Sequence, residues 1–305
     1  MDHVIPEKQI AEIKCKQGAV RAVRFNADGN YCLTCGSDKS VKLWNPSRQL
    51  LLKTYGGHGY EVLDAQASSD NSQICSGGMD KLVVLFDVAS GNSLRKYRGH
   101  AGTVNCVKFN EESTVVLSGS IDCTIKAWDC RSRSTNPIQT MDDPKDSVTS
   151  LEVSDHEILA GSADGHIRRF DLRMGKLFVD TIGKSVSCVT FTRDGQCVLV
   201  GTLDSTLRLM DKDTGEMLNE YTGHKNKDYK IDSCLNHRDT HILSGSEDGC
   251  VYIWDLVESK LVRTLEHKDQ PVVHSLSFHP EEVCLLTAAR DTMYVWKSQF
   301  APDAT

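Results

Sequence analysis

Residues 119–129 read GSIDCTIKAWD: a pair of small residues, an Asp at a turn, an alternating run with β-branched positions, and an aromatic residue followed by Asp. Six further stretches echo it: GSDKSVKLWN (36–45), GGMDKLVVLFD (77–87), GSADGHIRRFD (161–171), GTLDSTLRLMD (201–211), GSEDGCVYIWD (245–255) and AARDTMYVWK (288–297). Their closing apolar residues, Trp44, Phe86, Trp128, Phe170, Met210, Trp254 and Trp296, lie 42, 42, 42, 40, 44 and 42 residues apart. A repeat of about 40 to 45 residues built from short alternating runs predicts four-stranded blades set around an axis. The chain therefore reads as all-β, a seven-bladed β-propeller.

Around the best copy the strands follow in order. Gly99-His100 precedes VNCVKFN (104–110), TVVLSGS (114–120), CTIKAWD (123–129) and PIQTM (137–141), with turn residues between them. Extended along the chain, this gives approximate repeats 9–48, 49–90, 91–133, 134–174, 175–215, 216–258 and 259–298 with a short tail, 299–305, all in one domain because each repeat adds a blade to the same ring. After Trp296 only KSQFAPDAT remains, too short and polar to be a strand. The QIAEIKC run at 9–15 has outer-strand character, so the N-terminus is expected to supply the fourth strand of blade 7 and close the ring.

Composition narrows the functional classes. The net charge of −7, from 35 basic and 42 acidic residues, gives no general attraction for polyanions. No run approaches the ~20 apolar residues of a membrane-spanning helix, and the charged N-terminal stretch has no secretory core. Twelve cysteines are scattered singly along strands, among them Cys75, Cys106, Cys188, Cys197, Cys234 and Cys284. They read as buried thiols of a reducing compartment, cytoplasm or nucleus. The one CxxC, Cys32 to Cys35, falls in a strand that would point its two thiols to opposite faces. No metal or cofactor is expected.

Histidine, Ser or Thr, turn Asp and Trp recur at fixed offsets, and here the chain resembles the WD40 repeat family. The resemblance implies that these four residues form a hydrogen-bonded tetrad that locks each blade, as buried polar groups require. Three blades supply the full set: His100, Ser118, Asp122 and Trp128; His224, Ser244, Asp248 and Trp254; and His267, Thr287, Asp291 and Trp296. Blade 2 has His58, Ser76 and Asp80 with Phe86, and blade 1 has Thr34, Asp38 and Trp44 with Lys16 where the histidine would fall. Blades 4 and 5 keep only Asp164 and Asp204, which predicts that apolar packing holds them and that they open more readily. Blade 7, one residue short between Asp291 and Trp296, is expected to turn differently. A basic residue two before the aromatic, at Lys42, Lys126, Arg168 and Arg208, reads as an aliphatic stem laid along the neighbouring blade.

Enzymatic templates fail. Gly183-Lys184-Ser185 lacks the opening glycine of a phosphate loop, His156-Glu157 lacks the second histidine of a zinc hydrolase, and no GxSxG elbow occurs. The chain reads as a non-enzyme whose histidines are structural. The resemblance to the WD40 family implies that partners bind largely at the face carrying the outer-to-inner loops and the Asp turns. There Leu63, Met79 and Ile121 predict an apolar sector, Arg21 and Arg290 a basic one, Asp232 and Glu247 an acidic one, with Glu61 and Asn105 between.

Finer likeness lies in loops and blade-specific departures, in QGAVRAVRFNADGNYCLTCGSDKSVKLWNP, GHGYEVLDA, SGSIDCTIKAWDCRSRS, VSDHEILAGSADGHIRRFDLRMGKLF, TRDGQCVLVGTLDSTLRLMDKDTGE and GHKNKDYKIDSC. Over nearly the whole length the chain resembles the mitogen-activated protein kinase organiser group of WD-repeat scaffolds. That resemblance implies signalling complexes of the extracellular-signal-regulated kinase cascade, Par6 and atypical protein kinase C polarity complexes, and spliceosomal proteins as partners. A second class is open. Trp128-Asp129-Cys130-Arg131 and Phe170-Asp171-Leu172-Arg173 resemble the WDxR boxes of substrate receptors for cullin–RING ubiquitin ligases. Direct nucleic-acid binding lacks an aromatic platform and a positive surplus.

Overall fold

A computed structural model describes residues 5–154, 156–269 and 271–298. Its strands form seven antiparallel four-stranded sheets, and no helix occurs among the described residues. Blade 3 runs from inner to outer strand as Val104–Phe109, Val115–Ser120, Ile125–Asp129 and Gln139–Met141, and blades 1, 2, 4, 5 and 6 repeat that order. Blade 7 differs as predicted. Its inner three strands, Val273–Phe278, Cys284–Ala289 and Thr292–Lys297, are completed by Lys8–Lys14 from the N-terminus. That strand pairs Lys14 with Thr292 and Lys8 with Lys297 and buries Ala11 and Ile13. Beyond it, Gln17 N–H donates to Asp291 Oδ1 at 2.8 Å and Val20 N–H donates to the Arg290 carbonyl at 2.7 Å, stitching blade 7 to blade 1.

The core is not one mass but a series of seams, each between two neighbouring blades. Trp128, for instance, packs with Cys75, Leu85 and Tyr97 of blade 2. The small residues that open the repeated motif exist for these seams: a Cβ on Gly119 would lie 2.5 Å from Val148 Cγ1 on the next inner strand, and one on Gly77 2.5 Å from Val104 Cγ1. Outer-strand tyrosines, Tyr55, Tyr97 and Tyr221, close three of the seams from outside. Tyr97 lies 5.3 Å from the Trp128 ring and donates its hydroxyl to the Asp129 carbonyl at 3.0 Å. Tyr221 does the same against Trp254, with its hydroxyl on the Leu256 carbonyl.

Inner strands line a central channel and are laced across the blades by side chains. Asp64 Oδ2 accepts from Val107 N–H and Gln66 Oε1 from Phe109 N–H, while Ser275 and Ser277 hydroxyls accept from Val23 and Phe25 N–H. The channel narrows around charged groups that neutralise one another. Arg24 reaches Asp64 at 3.1 Å and Asp232 at 2.7 Å, and Lys108 reaches Glu152 at 3.1 Å. The twelve cysteines are free, eight of them buried, and burial raises Cys15 to about 12.

The blade locks only partly follow the expected tetrad. In blade 3 the chain of bonds is complete: Trp128 Nε1–H donates to Ser118 Oγ at 2.8 Å, and Ser118 Oγ lies 2.7 Å from His100 Nε2. His100 Nδ1 in turn lies 2.9 Å from Asp122 Oδ2. Burial lowers the imidazole pKa and the bond to Asp122 only partly restores it, so a neutral ring donating from Nδ1 fits every contact. Blade 2 keeps His58, Ser76 and Asp80 in the same relation without a tryptophan, Phe86 packing beneath Tyr55 instead.

Elsewhere the expectation is corrected. In blade 1 the histidine's place is taken by Gln17, not Lys16, whose left-handed backbone (φ 52°) leaves it exposed. Gln17 accepts from Thr34 Oγ1 and donates to Asp38, and Trp44 donates to Thr34. Blade 7 keeps the His267–Thr287–Trp296 chain at 2.7 and 3.0 Å, but Asp291 leaves it. The short turn swings that carboxylate to Gln17 N–H, and His267 Nδ1 meets the Gly249 carbonyl at 3.0 Å. In blade 6 the tetrad is not formed. Trp254 donates to the Thr222 carbonyl, Ser244 to the Gly245 carbonyl, and His224 is buried against Trp254 with neither ring nitrogen hydrogen-bonded.

One substitute recurs in blades 1, 4, 5 and 6. The third-strand residue four after the turn Asp, read from sequence as a stem on the next blade, instead folds back onto that Asp. Arg168 holds Asp164 through both guanidinium nitrogens at 2.8 and 3.2 Å, and Arg208 Nη2 holds Asp204 at 2.8 Å. Lys42 lies 3.2 Å from Asp38, and the Tyr252 hydroxyl donates to Asp248 at 2.8 Å, taking the carboxylate that His224 would need. Blades 4 and 5 are therefore locked by ion pairs as well as by apolar packing. Lys126 stays out of this arrangement because His100 already occupies Asp122, and it donates to Thr140.

Candidate functional site: the loop face around the channel mouth

The face that carries the outer-to-inner loops and the Asp turns brings several of the predicted residues together and removes others from the surface. Met79 and Ile121 stand on adjacent Asp turns and are 46% and 54% exposed. Their turns are fixed from below, Met79 N–H on the Glu61 carbonyl and Ile121 N–H on the Thr103 carbonyl, so both side chains are presented outward by rigid backbone. Leu63 is half-buried and lines a cavity of about 180 Å³ at the channel mouth with Arg21, Asn105 and Lys230.

Charges at the mouth are largely spent internally. Arg21 pairs with Glu61 at 3.0 Å across the seam between blades 1 and 2. Asn105 donates to Ser147 Oγ and to the Val148 carbonyl, and its own carbonyl accepts from Lys230 Nζ at 3.1 Å, across the mouth from blade 6. Asp232 is corrected as a surface acid: it is 8% exposed, and Arg24, Lys230 and Ser275 hold its carboxyl low against the burial that would raise it. Glu247 likewise turns inward. Burial would raise its carboxyl pKa, but the backbone N–H groups of Asp228, Lys227 and Tyr229 outweigh that and keep it ionised as a cap for the loop. Arg290 remains exposed.

Three features of this face escaped the sequence reading. Tyr60, two residues after His58, is 65% exposed, with Lys39 Nζ 5.7 Å from its ring centroid. The loop of blade 6 is longer between its histidine and inner strand than that of blade 3, eight residues (225–232) against three (101–103), and it carries Lys230 over the mouth and sets Tyr229 against His274 at 5.3 Å. Extra loop length in GHKNKDYKIDS was the available signal. The acidic sector lies not at blade 6 but at the loop entering blade 4, where Asp142, Asp143 and Asp146 are exposed. On the opposite face, Arg131 and Arg173 are both exposed, Arg131 3.8 Å from Asp129.

No three of the described His, Cys, Asp and Glu residues are grouped so as to hold a metal ion. Most buried polar groups have internal partners, the His224 ring being an exception, and burial lowers the pKa values of His100, His224 and His267, the last to about 4. Such an arrangement offers rigid, chemically mixed surface.

The WD domain, G-beta repeat pattern matches residues 7–45, 49–87, 91–129, 178–211, 215–255 and 259–297. The stretch it passes over, 130–177, holds most of blade 4, where Ala160 and Phe170 replace the Ser and Trp and the Asp164–Arg168 pair replaces their lock. The chain is 65% identical to WD repeat domain-containing protein 83 of Rattus norvegicus and 64% identical to that of Homo sapiens, over 97% of this chain and 93% of each relative. It is 38% identical to the WD repeat domain-containing protein 83 homolog of Dictyostelium discoideum, over 92% of this chain and 94% of that protein. With a repeated motif, seven four-stranded blades and these matches agreeing, the chain belongs to the WD40 repeat family.

Proposed function

We propose that this protein is a non-enzymatic scaffold that holds other proteins together, and that the loop face around the channel mouth is where it takes at least one of them. The observation that carries this reading is the pair Met79 and Ile121, with Tyr60 beside them: large apolar side chains presented to water on turns that backbone hydrogen bonds keep from collapsing. Resemblance to the kinase-organiser group supports, as candidate partners, components of the extracellular-signal-regulated kinase cascade, Par6 and atypical protein kinase C, and spliceosomal proteins. With such partners the protein is expected to work in the cytoplasm, with the nucleus as a second location.

The test is capture of these purified candidates on the immobilised full chain, compared with Met79→Glu/Ile121→Glu. Loss of at least one partner at unchanged melting temperature is expected; retention of every captured partner would remove this face. A second reading, substrate receptor of a cullin–RING ligase, draws on the exposed Arg131 and Arg173 of the opposite face. It requires co-purification of the ligase adaptor that disappears in Arg131→Ala/Arg173→Ala.

A further inference from the structure

We propose that the sector of the loop face formed by blades 7, 1 and 2 binds an acidic, extended segment of a partner protein that carries an apolar side chain next to its carboxylates. The inference rests on the docking role of this face and specifies the chemistry of what docks.

Its first support is contiguity. Arg290 and Lys16 are joined at the closing seam, where Val20 N–H meets the Arg290 carbonyl and Cys15 N–H the Asp291 carbonyl. Lys39 follows on the Asp turn of blade 1 and leans over Tyr60, the Tyr60 loop carries Glu61, and the Glu61 carbonyl holds the turn bearing Met79 and Lys81. Lys16, Lys39, Lys81 and Arg290 are all exposed.

The second support is that the turn carboxylates interleaved with these cations, and Glu61, are already taken, while Asp269, exposed on the loop entering blade 7, stands beside the exposed Lys268. Asp38 is held by Lys42 and Gln17, Glu61 by Arg21, Asp80 by His58 and Gly59 N–H, and Asp291 by Gln17 N–H. Four cations are thus left facing solvent on a chain of net charge −7. A local positive field on a negative protein favours a short anionic segment over a long polyanion, whose remaining phosphates the rest of the surface would repel. The third support is polarity: the sector grades through Tyr60, Met79 and Ile121 into the exposed Asp142, Asp143 and Asp146 of the far side, which disfavours binding of an acidic segment in the opposite sector.

Fluorescence anisotropy on the full chain tests this with three labelled probes: an octapeptide of glutamates around a central leucine, its lysine counterpart, and a single-stranded oligouridylate. The glutamate peptide is expected to bind, to weaken as salt rises from about 50 to about 300 mM, and to lose roughly tenfold or more in affinity in Lys39→Glu/Arg290→Glu at unchanged melting temperature. Asp142→Lys/Asp143→Lys should retain it. Equal binding by Lys39→Glu/Arg290→Glu, preference for the lysine peptide, or tighter binding of the oligouridylate at the same residues would overturn the proposal. Partner loss in Met79→Glu/Ile121→Glu combined with an unaffected Lys39→Glu/Arg290→Glu would leave the docking face standing and remove the acidic segment alone.

Discussion

Replacing Arg168 by Met tests whether an ion pair has taken over the work of the tetrad in blade 4. The substitution keeps the aliphatic stem and deletes the guanidinium, so packing is largely conserved while Asp164 loses both bonds to Arg168. The carboxylate keeps Ser162 Oγ, Lys145 N–H and His166 N–H as donors, with its side chain only 11% exposed. Removing one partner of a buried pair costs about 3 to 5 kcal/mol; the three surviving hydrogen bonds place this case near the lower end, about 3 kcal/mol. For a chain of this length that is a fall of about 6 °C in Tm. Asp164→Asn/Arg168→Met removes both charges and should recover about 2 kcal/mol of the sum of the single losses.

The pH dependence follows from the same contacts. Burial would raise the Asp164 carboxyl, but Arg168, Ser162 and the Lys145 amide overcome it and hold it well below the usual carboxylate range. A carboxyl lower in the folded state than in the unfolded chain contributes its full stability above the unfolded value near ~4, and loses it as pH falls toward the folded value. The advantage of wild type over Arg168→Met should therefore be constant near neutrality and shrink below about pH 4. Thermal melts followed by circular dichroism across that range, with amide exchange read in residues 148–181, measure both effects. A change within about 0.5 kcal/mol for Arg168→Met, or additive single and double losses, would refute the ion-pair lock.

Three further outcomes are expected. Gln17→Ala should cost about 1 to 2 kcal/mol because Thr34 and Asp38 lose a buried partner, while Lys16→Ala should stay within about 0.5 kcal/mol; chemical denaturation separates them, and a larger effect at Lys16 would restore it as the lock residue. Ser118→Ala leaves both Trp128 Nε1–H and His100 Nε2 without their bond and should cost about 2 to 3 kcal/mol, whereas Ser244→Ala, whose hydroxyl bonds only a neighbouring carbonyl, should cost under about 1 kcal/mol in the same measurement. Truncation through Lys14 removes the outer strand of blade 7 with buried Ala11 and Ile13, and should lower Tm by about 8 °C or more for the whole ring; an unchanged melt would refute the closure.

What the sequence determined was whatever repeats. Seven copies at a near-constant spacing fix the number of blades, the alternation within each copy fixes the strands, and the missing last strand required the N-terminus to close the ring. The motif glycine was legible as a small residue; that Gly119 must admit Val148 follows only from the neighbouring blade. Met79 and Ile121 could be placed on exposed turns because the position before the turn Asp lies at the tip of the turn, although the same position in blade 6, Glu247, turns inward. Asp232 could not be placed, because its partner Arg24 is 208 residues away and meets it only across the channel.

Tertiary structure decided which groups pair. A turn Asp can be claimed by a histidine from the preceding loop, by the residue four positions on, or by the next blade's backbone. In blades 4, 5 and 6 it is Arg168, Arg208 and Tyr252 four positions on that take the carboxylate, and in blade 7 the turn one residue shorter sends Asp291 to Gln17 N–H. Lys16 and Gln17 exchanged roles through one left-handed residue. Surface charge was decided in the same way: the sequence counts 35 basic and 42 acidic residues, and only the folded ring shows which are spent on one another and which still face a partner.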